Sequence, residues 1–406
     1  MKGFILTNSG KITAAWLKDK ALVQLFDALE KDGGEPRVVG GAVRNALMGY
    51  GDSDIDIATT TPPEETLALL EAADIKAIPT GIEHGTVTAV IDGKTYEITS
   101  LRKDVKTDGR HAVVAFGTSF EDDAKRRDFT INAIYADRNG HIYDYVGGLG
   151  DIETETLQFI GDAATRIEED YLRILRFFRF FAYYGKHRPD AQGLKACARL
   201  KDGLDGLSAE RIWSEMRKLF AAPDPSRALL WMRQVGVLTK LLPESEKWGI
   251  DAIPPLMEAE RKHEIAPDAM VRLMSIIPPR VDTVNDIASR WKLSNAERDR
   301  LRAWASLPQQ LPKDDRSLRG LAYRHSKMAV LDALHAQTGL RRDDELANAA
   351  KTLDAWDVPE LPVKGADLIE RGFEKGPLLG AKLKELENEW IDSDFSLKRD
   401  DLLAKI

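Results

Sequence analysis

Val38 to Thr60 reads VVGGAVRNALMGYGDSDIDIATT, and the fold of the chain turns on this stretch. A short apolar strand, Val38-Val39, runs into Gly40-Gly41, and a helix carrying Arg44 in its first turn follows. A β-branched segment then holds Asp54 and Asp56 on either side of Ile55. Two glycines let the backbone come close to a bulky anion, because neither has a Cβ in the way. The helix N-terminus beyond them offers unpaired N–H groups and the positive end of a dipole, which suits phosphate. On a strand, residues two apart face one side, so Asp54 and Asp56 are expected to project together. Such carboxylates repel unless a cation lies between them, and hard oxygen ligands at this spacing suit Mg²⁺. Phosphate cradle, arginine and metal clamp are the parts of a nucleotidyl-transfer site.

Before this stretch, Ala14, Leu17, Ala21, Leu25 and Ala28 recur at helical spacing, which predicts a helix over Ile12 to Lys31. After it, Thr61-Pro62-Pro63-Glu64-Glu65 opens another helix that runs to about Ala73. Two β-rich runs, Thr86 to Ile91 and Thr95 to Leu101, flank Asp92-Gly93, a strong hairpin signal. If Tyr96 and Ile98 face a core, Glu97 points to the other side. Alone, Glu97 reads as a solvent-facing strand residue; beside Asp54 and Asp56 in one small sheet it reads as a third acid of the site.

Lys103 to Ala124 is polar and poorly periodic, which predicts a long functional loop. In KRRDFTINAIYAD, which follows, two arginines precede Asp128, and Asn132 comes four residues later. This is either a surface-to-core transition or a grip on a ribose and a triphosphate. Tyr143 to Gly148 then closes a first domain with a glycine-rich turn. Beyond Gly150 strand signals stop, so the fold class is α+β followed by all-α. In RIEEDYLRILRFFRFFAYYG, residues 166–185, Arg173, Arg176 and Arg179 recur every three positions on an otherwise apolar helix. Ion pairs of Glu169 and Asp170 with Arg173 are one reading. The aromatic remainder favours another, in which three buried arginines with too few local carboxylates want an anionic partner.

The chain has 406 residues, 43% hydrophobic and 31% charged, which predicts several globular domains. Its net charge of −8 leaves nucleic-acid binding to a local basic track. One cysteine, Cys197, excludes an internal disulfide, and the seven histidines have no zinc spacing. No apolar run is long enough for a membrane span, and no secretory leader is visible, so a cytoplasmic location without membrane partners is expected.

At GGAVRNALMG, GDSDIDIATT, EHGT, YEITSLR, DGRHA, KRRDFTINA and EEDYLRILRFFRF, the chain resembles class II tRNA nucleotidyltransferases. These are the CCA-adding enzymes of the polymerase-β-like superfamily. The matching motifs span Val38 to Phe220 and stand in family order. The resemblance implies a catalytic head over 1–150, a helical neck that recognises the nucleotide base over 151–260, and a helical body and tail for tRNA over 261–406. Asp54 and Asp56 match its metal-binding carboxylates, holding two Mg²⁺, with Glu97 as a further catalytic acid. Gly40, Gly41 and Arg44 match the triphosphate turn, and Arg127, Asp128 and Asn132 match the motif for the nucleotide sugar and phosphates. Glu169, Asp170 and Arg173 match its EDxxR motif, where aspartate and arginine read the base edge of CTP or ATP; Arg176 and Arg179 continue that helix. Arg110 falls in the flexible loop used in switching from C to A.

The implied reaction is template-independent addition of CCA to the 3′ end of tRNA from CTP and ATP, with release of pyrophosphate. A bacterial poly(A) polymerase is the nearest alternative. That branch carries a basic segment where this chain has Gly81-Ile82-Glu83-His84-Gly85-Thr86. An enzyme adding only CC or only A is disfavoured by Thr107-Asp108-Gly109-Arg110-His111, and a catalytically dead relative by the three acids. No phosphohydrolase signature accompanies the helical half. Both a monomer and a homodimer remain open.

Overall fold

The computed structural model describes residues 10–51, 53–108 and 111–406. Arg110 therefore lies outside the described residues. The chain divides into two compact units. The first runs to Leu207 and takes in Gln234–Val237; the second comprises Ser208–Arg233 and Leu238–Ile406.

The first unit is built on a seven-stranded sheet. Its strands are β1 (Pro36–Val39), β2 (Asp56–Thr59), β3 (Lys76–Gly81), β4 (Thr86–Ile91), β5 (Lys94–Ser100), β8 (Ile134–Ala136) and β9 (Ile142–Asp144), in the order β3-β4-β5-β2-β1-β8-β9. Strand β1 pairs antiparallel with β2 and β8, whereas β2 pairs parallel with β5. The β4–β5 hairpin turns at Asp92-Gly93 as expected, with Ile91 opposite Lys94. Helices α1 (Lys20–Leu29), α2 (Gly41–Met48), α3 (Pro63–Ala72), α4 (Phe120–Lys125) and α5 (Gly148–Glu153) complete this part. Val39, Ala58 and Tyr135 form one core with Phe120 and Ala124 of α4, so α4 covers the face of the sheet that these residues share.

Three expectations need correction. The first helix starts at Lys20 rather than Ile12, because the Asp19 carboxylate accepts the Ala21 N–H at 2.9 Å and begins the helix there; a 3₁₀ turn, Ala15–Lys18, precedes it. Lys103 to Ala124 is not a structureless loop: β6 (Arg102–Asp108) and β7 (His111–Phe116) form a two-stranded ribbon, with Asp108 opposite His111, and α4 follows. The valines and threonines of this polar stretch favour strand even without clean alternation. Residues 166–185 are not one helix. Helix α6 (Ala163–Glu169) stops at Asp170, which turns extended and accepts the Leu172 N–H at 3.1 Å, and α7 (Leu172–Tyr184) starts anew. Local capping overrides the continuous apolar periodicity there.

Helix α7 is tied down by aromatic packing. Phe159 and Phe177 stack with centroids 5.2 Å apart, and Phe129 lies 4.9 Å from Phe159 and 5.4 Å from Phe180. Contacts of this kind add roughly 0.5–1.5 kcal/mol each beyond burial. They leave Arg173, Arg176 and Arg179 along one side, as the three-residue spacing predicts, but half-buried rather than buried. Helix α8 (Ala191–Leu200) and a 3₁₀ turn, Lys201–Gly206, end this part of the unit.

The second unit is helical throughout its regular structure. Its first helix, Ala209–Phe220, is capped by Ser208, whose side chain accepts the Arg211 N–H. Trp213 stacks on Trp291, and its Nε1–H donates to Glu297 at 3.0 Å. Among the described residues no helix is long and apolar enough to cross a membrane.

Candidate active site

One row across the sheet organises the site. Tyr135 of β8 stands opposite Val39 of β1, Val39 opposite Asp56 of β2, and Asp56 opposite Glu97 of β5. Facing residues in a ladder share a side, so Asp56 and Glu97 project together. Their neighbours Ile57 and Ile98, buried to about 1% exposure, point the other way. The expectation that Glu97 turns from the core therefore matches its position. Asp54 sits in the irregular lead-in just before β2, since strand pairing begins only at Asp56. It is exposed, as are Asp56 and Glu97.

Asp56 shows the electrostatic consequence. Although solvent reaches it, the protein packed around it withholds part of its hydration, and Glu97 and Asp54 repel its charge. Arg127 opposes these effects, yet the Asp56 carboxyl is pushed up from 3.8 to about 6. Such a cluster fits a divalent cation, whose charge removes the repulsion. Among the described residues no three His, Cys, Asp or Glu side chains form a ready metal cage.

This sets a pH expectation. A carboxyl raised in the folded state holds its proton below about pH 6, so a divalent cation competes with that proton. Mn²⁺ or Mg²⁺ affinity, read by titration calorimetry, should rise with pH until about 6 and then level off. Stability runs the opposite way for this group. Without a cation, its contribution favours folding at low pH and is lost as pH rises from about 4 to 6. The melting-temperature gain on adding cation should therefore be larger at pH 7.5 than at pH 5; equal gains at both would remove Asp56 from the site.

Beside the acids lies the glycine turn. Gly40 has φ +74°, a conformation that disfavours other residues, and it starts α2 with no side-chain cap. A Cβ on Gly41 would stand 3.2 Å from Ser53 Oγ, so the turn and the segment leading to Asp54 are closely packed. Arg44, one turn into α2, is only 6% exposed. It donates to Asn132 Oδ1 at 2.5 Å, Asn45 Oδ1 at 3.1 Å and the Tyr184 hydroxyl at 2.7 Å. Its Nε–H is buried with no partner among the described residues, and burial lowers its proton affinity. A buried cation with only neutral partners fits an anionic ligand.

From Arg44 a hydrogen-bonded chain continues. Asn132 Nδ2 donates to Asp128 at 3.2 Å, and Arg176 Nε and Nη2 close on the same carboxylate at 2.7 and 2.6 Å. Burial works against the Asp128 charge, but Arg176, Asn132 and the Phe129 N–H outweigh it and hold the carboxyl below its usual range. Asn132 and Asp128 thus connect α2 to α7. Arg179 packs over Phe180 at 4.2 Å, and its charge is felt at Arg44. Further along, Arg173 pairs with Glu169 and donates to the backbone carbonyls of Arg166 at 2.8 Å and Arg126 at 3.3 Å. Asp170 caps α7.

Two functional side chains escaped the sequence reading. Asp123, 1% exposed, accepts from Arg126 Nε at 2.8 Å, Arg127 Nε at 3.1 Å and the Tyr135 hydroxyl at 2.7 Å. It fixes the arginine whose field reaches Asp56. Its i,i+3 and i,i+4 spacing to Arg126 and Arg127 was the available signal, hidden because α4 was read as loop. Tyr184 is the second; nothing in its local sequence marks it.

Comparison with known proteins adds family evidence. Residues 36–158 match a family model described as the poly A polymerase head domain. Residues 189–248 match one for an RNA- and SrmB-binding site of polymerase A, and 271–406 match tRNA nucleotidyltransferase domain 2. The chain is 33% identical over 405 residues to the mitochondrial CCA tRNA nucleotidyltransferase 1 of Danio rerio, covering 95% of this chain and 90% of that one. It is 34% identical over 382 residues to the CCA-adding enzyme of Streptococcus sanguinis, covering 91% and 92%. A crystal structure of the Bacillus stearothermophilus CCA-adding enzyme with CTP is similar at TM-score 0.72 and 26% identity, over 92% of this chain and 93% of that one.

Proposed function

This chain belongs to the CCA-adding tRNA nucleotidyltransferases, and from that premise we propose how its own residues perform template-independent addition of CCA to tRNA. The row Val39–Asp56–Glu97, with Asp54 close enough to repel Asp56, is the observation that carries the reading. It sets an acid cluster in need of a cation beside the glycine turn.

In this proposal Asp54 and Asp56 hold divalent cation, two Mg²⁺ in all, with Glu97 as the neighbouring acid. Ions held there neutralise triphosphate charge and make the tRNA 3′-hydroxyl more acidic. The chain supplies the rest. The Gly40-Gly41 turn and the first amides of α2 receive the triphosphate, and Arg44 takes up its charge. Arg127, oriented by Asp123, lies toward the same charge, while Asp128 and Asn132 hold the sugar side of the nucleotide. Asp170 and Arg173 face the base edge of CTP or ATP, one accepting and one donating, with Glu169 bracing Arg173. Arg176 and Arg179 keep α7 in register with the phosphate site. Arg110 belongs to the C-to-A switching loop by its motif. Catalysis is then positioning and charge neutralisation, and pyrophosphate leaves.

The head–neck–body partition at 150 and 260 is part of the same proposal, supported by the three matched segments, with tRNA on the last. We place the chain in the cytoplasm; Cys197, buried and free, suits a reducing compartment. Fractionation of native cells tests that placement, since relatives include mitochondrial enzymes. Analytical ultracentrifugation separates monomer from homodimer.

The test of function is extension of a tRNA lacking its 3′ CCA with labelled CTP, ATP, or both, resolved to single nucleotides. Addition of CC and then one A, followed by a stop, is the expected result. A long A ladder on unrelated RNA would identify a poly(A) polymerase, and arrest after CC would point to a partial enzyme.

A further inference from the structure

Among the described residues Arg44 has no carboxylate partner; Asn132, Asn45 and Tyr184 are all neutral. A carboxylate at hydrogen-bond distance would compensate the guanidinium and weaken its attraction for an incoming anion. Neutral partners fix its direction and leave the charge for a ligand. Tyr184 contributes to this fixing in two ways. Its hydroxyl accepts from Arg44 Nη2 at 2.7 Å and donates onward to Asn45 Oδ1 at 3.4 Å. Its ring lies under the same guanidinium, 4.1 Å from Arg44 Cζ to the ring centroid. The ring is held in turn by Tyr50, edge-on at 5.8 Å, and Phe180, also at 5.8 Å. Tyr184 thus meets Arg44 twice, by its hydroxyl and by its ring.

We propose that Tyr184 is a positioning residue for the incoming triphosphate, acting through Arg44. It rests on the reading of Arg44 as a triphosphate ligand. Tyr184 is the last residue of α7, so the helix carrying the arginine strip also sets the direction of the phosphate-binding arginine in the head. Nothing in this geometry touches the nucleoside. The effect should therefore be confined to ligands that carry phosphates.

The experiment measures equilibrium binding of CTP, cytidine and inorganic tripolyphosphate to the full chain and to Tyr184→Phe, Tyr184→Ala and Arg44→Lys. Tyr184→Phe keeps the ring and its packing, so its melting temperature should stay at the parent value. Losing one hydrogen bond to a charged group should weaken CTP and tripolyphosphate about tenfold and leave cytidine unchanged. Tyr184→Ala should weaken the phosphate ligands further. In the double variant with Arg44→Lys, the Tyr184→Phe effect should vanish, because it acts only through Arg44. Parent-level tripolyphosphate binding by Tyr184→Phe, alongside a loss in Arg44→Lys, overturns the proposal and leaves the Arg44 reading standing. Parent-level binding by Arg44→Lys also overturns the proposal, because the direction of the guanidinium then does not matter to the phosphates. Equal weakening of cytidine and tripolyphosphate means a purely structural tyrosine.

Discussion

Asp56→Ala, and separately Asp54→Ala, should leave a folded protein that adds no measurable nucleotide. Removing either carboxylate takes away a hard oxygen ligand where the triphosphate and the attacking hydroxyl must both be neutralised. Loss of about 4–5 kcal/mol of transition-state stabilisation is about 10³–10⁴-fold in rate. The same change should not damage the fold. Asp56 is exposed at the start of a short strand and is repelled by Glu97 and Asp54. Removing a charge raised in this way relieves a repulsion at pH 7, so in cation-free buffer Asp56→Asn should melt no lower than the parent. Stability and activity are opposed at this residue, as expected of a functional site. Single-turnover extension of a tRNA lacking CCA, with calorimetry on the same sample, measures both. Retention of a tenth of the activity by either alanine variant would end the assignment of that residue.

What could be read in advance was what depends on near neighbours. Val38-Val39-Gly40-Gly41 and the β4–β5 hairpin follow from period-two alternation and turn chemistry, both local, and Glu97's outward direction follows from Tyr96 and Ile98 beside it. The break at Asp170 was also local, but two local rules competed there and capping won over periodicity. Asp54 was placed in the strand although it lies two residues before pairing starts, because β-branched neighbours do not say where pairing starts. The Asp128–Arg176 contact joins residues 48 apart in sequence, and Arg44–Tyr184 joins residues 140 apart. Each arginine was visible as a cation awaiting an anion. Which carboxylate or hydroxyl would meet it is a property of the packed sheet and α7, and no spacing in the chain encodes it. Which arginines are engaged by a carboxylate and which by neutral partners therefore had to come from the structure.

Glu260→Ala should be the most destabilising single change in the second unit. The helices Ile253–His263 and Ala269–Ser275 are joined by Glu260 and Arg272, at 5% and 1% exposure. Arg272 donates Nε and Nη2 to the two carboxylate oxygens at 3.1 and 2.7 Å, and Nη1 to the carbonyls of Phe220 and Ala222 at 2.7 and 2.5 Å. It thereby anchors the end of a third helix, Ala209–Phe220. Removing Glu260 strands a buried charge that arginine cannot shed, and breaking such a pair costs about 3–5 kcal/mol. Arg272→Met strands a carboxylate instead, together with two carbonyls. A buried lone carboxyl has its pKa raised, so this variant can protonate and recover stability as pH falls. The two variants should therefore diverge with pH, Arg272→Met regaining stability toward pH 5 while Glu260→Ala does not. The double variant Glu260→Leu/Arg272→Met removes both charges and should be milder than Glu260→Ala, its residual loss coming from the stranded carbonyls at about 1–3 kcal/mol each. Seven of the eight tryptophans lie in this unit, Trp16 being the exception, so urea unfolding followed by tryptophan fluorescence reports on it selectively. Parallel pH curves for the two single variants would show that the pair is not held as buried charges.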